Sequence, residues 1–386
     1  LMANGATVFP QTIGVASTWD PQLSEAMGEI IQRQMRSVGA HHALAPVLDI
    51  CRDARWGRLE ETYGEDPYLV ARMGGAYIKG LQGDDLANGI VATAKHFVGY
   101  GITEGGMNWA PAHIPERELR EVYLLPFEAA IKEYGLASVM NGYHELDGIP
   151  CTSNRQLLTH ILRDEWGFDG TVVSDYFAVN MLEQYHNLAA SKPESAQLAL
   201  QAGIDVELPQ TDCFGDMLHQ AVEDGEIPMD LIDIAVHRIL AQKFNLGIFE
   251  KPFVDTDRIA FDTQEDRALA REIAQKSIVL LKNDDNLLPL KKNIGSIAVI
   301  GPNADNIRNL FGDYTYPAHI ETLIESMTNN ALGMPVPEGV TAENIEDFIP
   351  AISILDAIQN AVNPEPKVTY ANGCDVINQD RDGFDA

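Results

Sequence analysis

The sequence predicts an α/β chain built around a (β/α)-barrel, with a second βα region behind it. Three observations point this way. From residue 13 to about 248, short apolar runs alternate with amphipathic helical stretches, the pattern of repeated βα units. The runs are apolar on both faces, as the strands of a buried parallel sheet are. Asp49, Lys95, His96, Tyr143 and Asp175 each stand at or just beyond the C-terminal end of such a run, the rim where a barrel gathers its functional groups. Periodicity alone fits an open doubly wound sheet equally well; polar residues converging at several run ends favour the barrel.

Asp20 and Pro21 open the first helix as N-cap and first-turn proline, and Gly39 closes it. The run 43–50 follows, then a helix over 67–82 and the run 90–97. A long helix over 116–134 is expected to bend at Pro126. The run 137–143, a helix after Ser153 and Asn154, and the runs 170–174 and 204–208 come next. Helices over 213–224 and 229–246 end the region at Gly247. The domain reading is therefore 1–248 for the barrel, 249–263 for an aperiodic linker containing Pro252, and 264–386 for the second region. In that region a helix over 264–275, strands over 277–281 and 297–300, a helix over 351–362 and a strand over 368–370 are expected. The Pro-, Gly- and Asn-rich stretch 314–350 reads as an insertion, and the last domain as incomplete.

Composition narrows the function. Of 386 residues, 27 are Lys or Arg and 57 are Asp or Glu, a formal net charge of −30. Such a surface repels nucleic-acid backbones and anionic lipid but is indifferent to an uncharged ligand such as a sugar. No apolar run approaches the ~18–20 residues of a membrane helix. Cys51, Cys151, Cys213 and Cys374 are too scattered for a disulfide scaffold or a zinc site. They read as free thiols and lean towards a reducing compartment. No cofactor is indicated: dinucleotide, phosphate-loop, metalloprotease and serine-elbow patterns are absent or mis-spaced. His41, His42 and His144 lack a third partner for a metal. A homodimer is compatible with this reading.

Asp175, directly after a buried strand, is either a helix cap or a rim carboxylate able to attack a sugar's anomeric carbon. Lys95 is either an imine-forming amine or a charged donor. Lys95 and His96 can face one pocket only where the strand ends or bulges. The 52–58 loop (RDARWGR) is dense in guanidinium, carboxylate and aromatic groups. Internal bonding would stiffen it and leave one arginine for a ligand.

Taken together, several stretches resemble glycoside hydrolase family 3, the β-glucosidase and β-xylosidase group. They are GATVFPQ (5–11), APVLD (45–49), the RDARWGR loop with ETYGEDPYL (61–69), KHFVGYG (95–101), SVMNGY (138–143), VVSDY (172–176), and the stretches 277–290 and 297–303. The resemblance implies a TIM-like (β/α)-barrel, N-terminally incomplete, followed by a partial α/β sandwich. It also implies exo-acting hydrolysis of terminal β-D-glucosyl residues with retention, or of xylosyl or arabinosyl residues; a non-catalytic carbohydrate-binding relative is the other reading. By this resemblance Asp175 is the nucleophile. Arg58, Lys95, His96 and Tyr143 hold the terminal sugar, Met140 lines the pocket, and Tyr176 stands beside the leaving group. The family's general acid/base, a glutamate on a sandwich-domain loop, is expected beyond residue 386, and one sugar-binding aspartate upstream of residue 1. Glu338, Glu343 and Glu346 match no motif.

Overall fold

The computed structural model describes residues 3–255, 257, 259–291, 294–328, 349–362 and 367–376. The first of its two units comprises 9–260 and 264–278. It is built on the parallel strands β1 (His42–Ala43), β2 (Val91–Phe97) and β3 (Ser138–Asn141). A small antiparallel hairpin, β4 (Glu145–Leu146) with β5 (Ile149–Pro150), follows, and then β6 (Thr171–Tyr176) and β7 (Val206–Leu208). The large sheet runs β1-β2-β3-β6-β7, parallel throughout. Strand order that follows chain order is singly wound, which is barrel topology; a doubly wound sheet reverses its order part-way. The sheet is thus part of a (β/α)-barrel, as the sequence predicts. Every residue of β2 is buried, and Val139 of β3 sits between Ala94 and Val172.

The helices begin where local chemistry starts them. Asp20 accepts from Gln22 N at 3.2 Å and Asp66 from Leu69 N at 2.7 Å, each followed by proline. The two helices they open, Pro21–Ser37 and Pro67–Gln82, pack together through glycine. A Cβ on Gly80 would lie 2.1 Å from the Glu25 carbonyl, and one on Gly28 2.7 Å from that of Tyr77. Near Pro126 the 116–134 helix divides into a distorted stretch ending at Tyr123 and a regular helix Leu125–Tyr134. Helix Lys192–Ala202 was not foreseen, although Ser191 caps it by accepting from Glu194 N, and the Glu194 carboxylate reaches back to Ala190 N.

Three expectations change. The run 43–50 is a strand only at His42–Ala43. Pro46 has no N–H to donate, and pairing resumes as a bridge between Val47 and Lys95. The helix Gln264–Lys276 clusters with the first unit rather than opening the second, because buried Asp266 pairs with Arg33 and accepts from Gln34 at 3.2 Å. Residues 277–281 form no strand: the segment is exposed and no described segment gives it a ladder.

The second unit, mainly 279 onwards, pairs β8 (Ser296–Ile300) in parallel with β9 (Lys367–Ala371), the core of a partial α/β sandwich. Val299, Ala304 and Leu355 form its apolar centre. Within the expected insertion lies a helix, Tyr316–Thr328. Residues 329–348, with Glu338, Glu343 and Glu346, lie outside the described residues.

Candidate active site

Six of the residues singled out in the sequence, Asp49, Arg58, Lys95, His96, Tyr143 and Asp175, meet at the C-terminal rim of the sheet. The register of β2 against β3 slips between Ala94 and Phe97, and this irregularity lets both Lys95 and His96 serve one pocket. Asp175 ends β6. Its Oδ1 accepts from Tyr176 N at 2.8 Å, while Oδ2 is buried, without a hydrogen-bond partner, and 3.6 Å from His96 Nε2.

Arg58 is fixed from several sides. Its Nε and Nη2 donate to the two oxygens of buried Glu61 at 2.7 and 3.0 Å, and Nη2 lies 3.1 Å from His96 Nε2. The guanidinium lies 5.7 Å from the Tyr100 ring and 6.0 Å from that of Trp56, which meet edge-on at 5.4 Å. The 52–58 loop is internally bonded, with Arg55 paired to Asp53 and the buried Trp56 at its centre.

These contacts assign the His96 tautomer. A guanidinium only donates, so Nε2 accepts from Arg58 and the proton resides on Nδ1. Nδ1 gives it to Asp49 Oδ2 at 2.8 Å, and the same oxygen accepts from His96 N at 3.0 Å. Burial, with Arg58 and Lys95 nearby, holds the imidazole well below its ordinary range, hence neutral. Burial pushes Asp49 up to about 7. It also lowers the Lys95 ammonium and raises Asp175, even though Lys95, Arg58 and the Tyr143 hydroxyl all favour the Asp175 carboxylate.

Asp49 and Asp175 each carry a bare oxygen, but the Asp49 side chain is 0% exposed and that of Asp175 is 11%. Of these two, Asp175 is the one open to an incoming molecule. Tyr143 lies between buried Tyr100, at 6.1 Å, and Trp109, at 5.9 Å. Tyr176 is 39% exposed at the rim, whereas Met140 on β3 is 1% exposed, within the sheet.

Sequence reading assigned no role to Glu61 or Tyr100 and saw Asp49 only as a rim residue. Their signal was proximity in the chain to Arg58, His96 and the 43–50 run. Elsewhere, Glu207, Asp212 and Cys213 cluster with ligand-type atoms. The Glu207 oxygens are already taken by the N–H groups of Asp212, Cys213 and Phe214 at 2.8, 2.9 and 2.8 Å, so this carboxylate clamps its loop.

Comparison with known proteins finds relatives over nearly the whole chain. The family model described as glycosyl hydrolase family 3 N terminal domain matches residues 1–242, and that described as the family's C-terminal domain matches 278–379. A β-xylosidase of Formosa agariphila is 42% identical over 392 residues, covering 98% of this chain and 51% of its own length. A periplasmic β-glucosidase of Salmonella typhimurium is 33% identical over 96% of this chain and 46% of its own. Among solved structures, a β-glucosidase from Erythrobacter marinus superposes with a TM-score of 0.83 at 37% identity, covering 97% of this chain and 46% of that one. The chain thus spans about half the length of the curated relatives it matches.

Proposed function

The chain belongs to glycosyl hydrolase family 3, and on that premise we propose that it carries the sugar-binding and nucleophilic half of a retaining, exo-acting β-glycosidase. One observation carries the reading: the Asp175 carboxylate at the end of the sheet, buried yet keeping an exposed edge that Asp49 lacks, and faced by Arg58, Lys95, His96 and Tyr143. That oxygen attacks the anomeric carbon as the bond to the leaving oxygen breaks, giving a glycosyl-Asp175 ester that water later hydrolyses. A general acid protonates the leaving oxygen. Arg58 and Lys95 donate to the ring hydroxyls, and donors of this kind grip harder as charge develops on the ring, while His96, whose Nε2 accepts from Arg58, holds that guanidinium in place. Burial lowers the Lys95 ammonium, as an imine-forming amine needs, but an imine also needs a carbonyl substrate, and the family match favours a glycoside.

The terminal sugar is a glucosyl unit on the sequence reading. A xylosyl unit is the second reading, favoured by the 42% identity to a protein named β-xylosidase. Incubation with 2-deoxy-2-fluoro-β-glucosyl fluoride, and separately with the xylosyl analogue, tests both. Fluoride leaves without an acid, so a label needs only the nucleophile. The expected outcome is one fluoroglycosyl adduct mapping to Asp175 and absent from Asp175→Ala. A folded protein that takes neither label, or takes it elsewhere, overturns the reading.

A further inference from the structure

Asp175 stands where β6 leaves its ladders. Towards β3 the pairing runs as far as Val173, opposite Met140. Towards β7 the register slips: Val173 faces Val206 and Tyr176 faces Leu208, three steps along β6 against two along β7. Ser174 and Asp175 occupy this bulge. Beyond it the chain turns sharply. Asp175 O accepts from Ala178 N at 3.0 Å, Phe177 N donates to Leu208 O at 2.8 Å, and Phe177 holds φ at +63°. A bulky residue rarely adopts that conformation, which persists only where its surroundings impose it.

A bulge takes ladder groups away from their backbone partners, and the Ser174 side chain serves two of them. Ser174 is fully buried. Its Oγ accepts from Leu208 N at 3.0 Å and donates to Asp175 O at 2.9 Å. A hydroxyl has one proton and two lone pairs, so both bonds form at once. The backbone carbonyl of the residue that bears the rim carboxylate is thereby tied to β7, while Oδ1 of that carboxylate accepts from Tyr176 N at 2.8 Å.

We propose that Ser174 is a positioning residue for Asp175: its hydroxyl bridges the bulge between β6 and β7 and fixes the backbone from which the attacking carboxylate projects. This rests on the reading of Asp175 as nucleophile and deepens it. Attack on an anomeric carbon needs the oxygen on line and at near-contact distance, so a loosened backbone slows bond formation. The grip of Arg58 and Lys95 on the sugar does not pass through Ser174 and should survive.

The test follows labelling of the 386-residue chain by the 2-deoxy-2-fluoroglycosyl fluoride that labels the wild type, over a range of probe concentrations. Ser174→Ala should lower the limiting labelling rate about tenfold or more, since two buried hydrogen bonds are lost, and leave the half-saturating concentration within about twofold. A merely structural role would lower the fraction of protein that takes label and not the rate at which the folded fraction reacts. Ser174→Thr keeps the hydroxyl and should recover most of the rate. Ser174→Cys is closest in size but bonds weakly, so it should stay slow, and it carries the comparison if the Ala variant does not fold. Ser195, also fully buried but with an Oγ that has no partner, is the control: Ser195→Ala should label at the wild-type rate. A limiting rate unchanged in both the Ala and Cys variants of Ser174, or a fall of the same size in Ser195→Ala, overturns the role of Ser174 while Asp175 remains the labelled residue. A folded wild type that takes no label overturns the nucleophile, and the role of Ser174 with it.

Discussion

Asp49 has no exposed side-chain surface, yet it decides which nitrogen His96 presents to Arg58 and Asp175. Replacing it with leucine leaves two His96 donors, N and Nδ1, without an acceptor and frees the ring to turn. Fluoroglycosyl labelling of Asp175 should then slow about tenfold or more, the worth of a charge-assisted hydrogen bond. Asp49→Asn keeps a carbonyl in place and should retain most of the rate. Imidazole 15N shifts separate a positioning role from a general loss of structure: Nδ1-protonated in the wild type and Asn variant, changed in the Leu variant. Asp175 makes a second expectation. Attack needs the carboxylate, and burial raises this carboxyl above its ordinary value. Labelling should therefore fall as pH drops, with its half-point above the ~4 of a free aspartate. Lys95 favours the charged form, so Lys95→Met should move the half-point higher still. A wild-type half-point at or below ~4 would count against the burial argument.

Between elements, polar ties do what apolar packing alone does not. Asp205, buried just before β7, accepts from Val172 N on β6 at 2.8 Å. It also accepts from Arg163 at 2.9 Å, on the helix Gln156–Glu165, and from Arg238 at 2.8 Å, on the helix Met229–Asn245. Asp205→Ala leaves two guanidinium groups facing each other without their anion, and should cost about 3–5 kcal/mol. Urea unfolding should show this as a lower midpoint with an unchanged slope; an unchanged midpoint would mean that water replaces the carboxylate. Segments legible in the sequence, such as β2, β6 and the helix Pro67–Gln82, carry their own signal: a continuous apolar run, or a capping aspartate followed by proline. Segments that misled are those whose state depends on a partner. Residues 277–281 have strand composition and no ladder among the described residues, and the helix Gln264–Lys276 is claimed by Arg33, more than 200 positions earlier.

For the molecule as a whole, the strongly acidic composition disfavours an anionic ligand, and the order of βα units sets the polar run ends at one end of a parallel sheet. Motif order along the chain identifies the family, and the two family models match in that order. Those properties are linear: they depend on which residues neighbour one another in the chain, and sequence reports them directly. The division of labour at the rim is not linear. Arg58 meets His96 across 38 positions, and His96 meets Asp49 across 47. Only folding shows that Glu61 steadies Arg58, that Asp49 sets the His96 tautomer, and that Asp175 keeps an exposed edge. Composition and motif spacing name the groups that gather at the sheet's end. Through-space pairing and burial, which act over a few ångströms whatever the sequence separation, decide what each of them does.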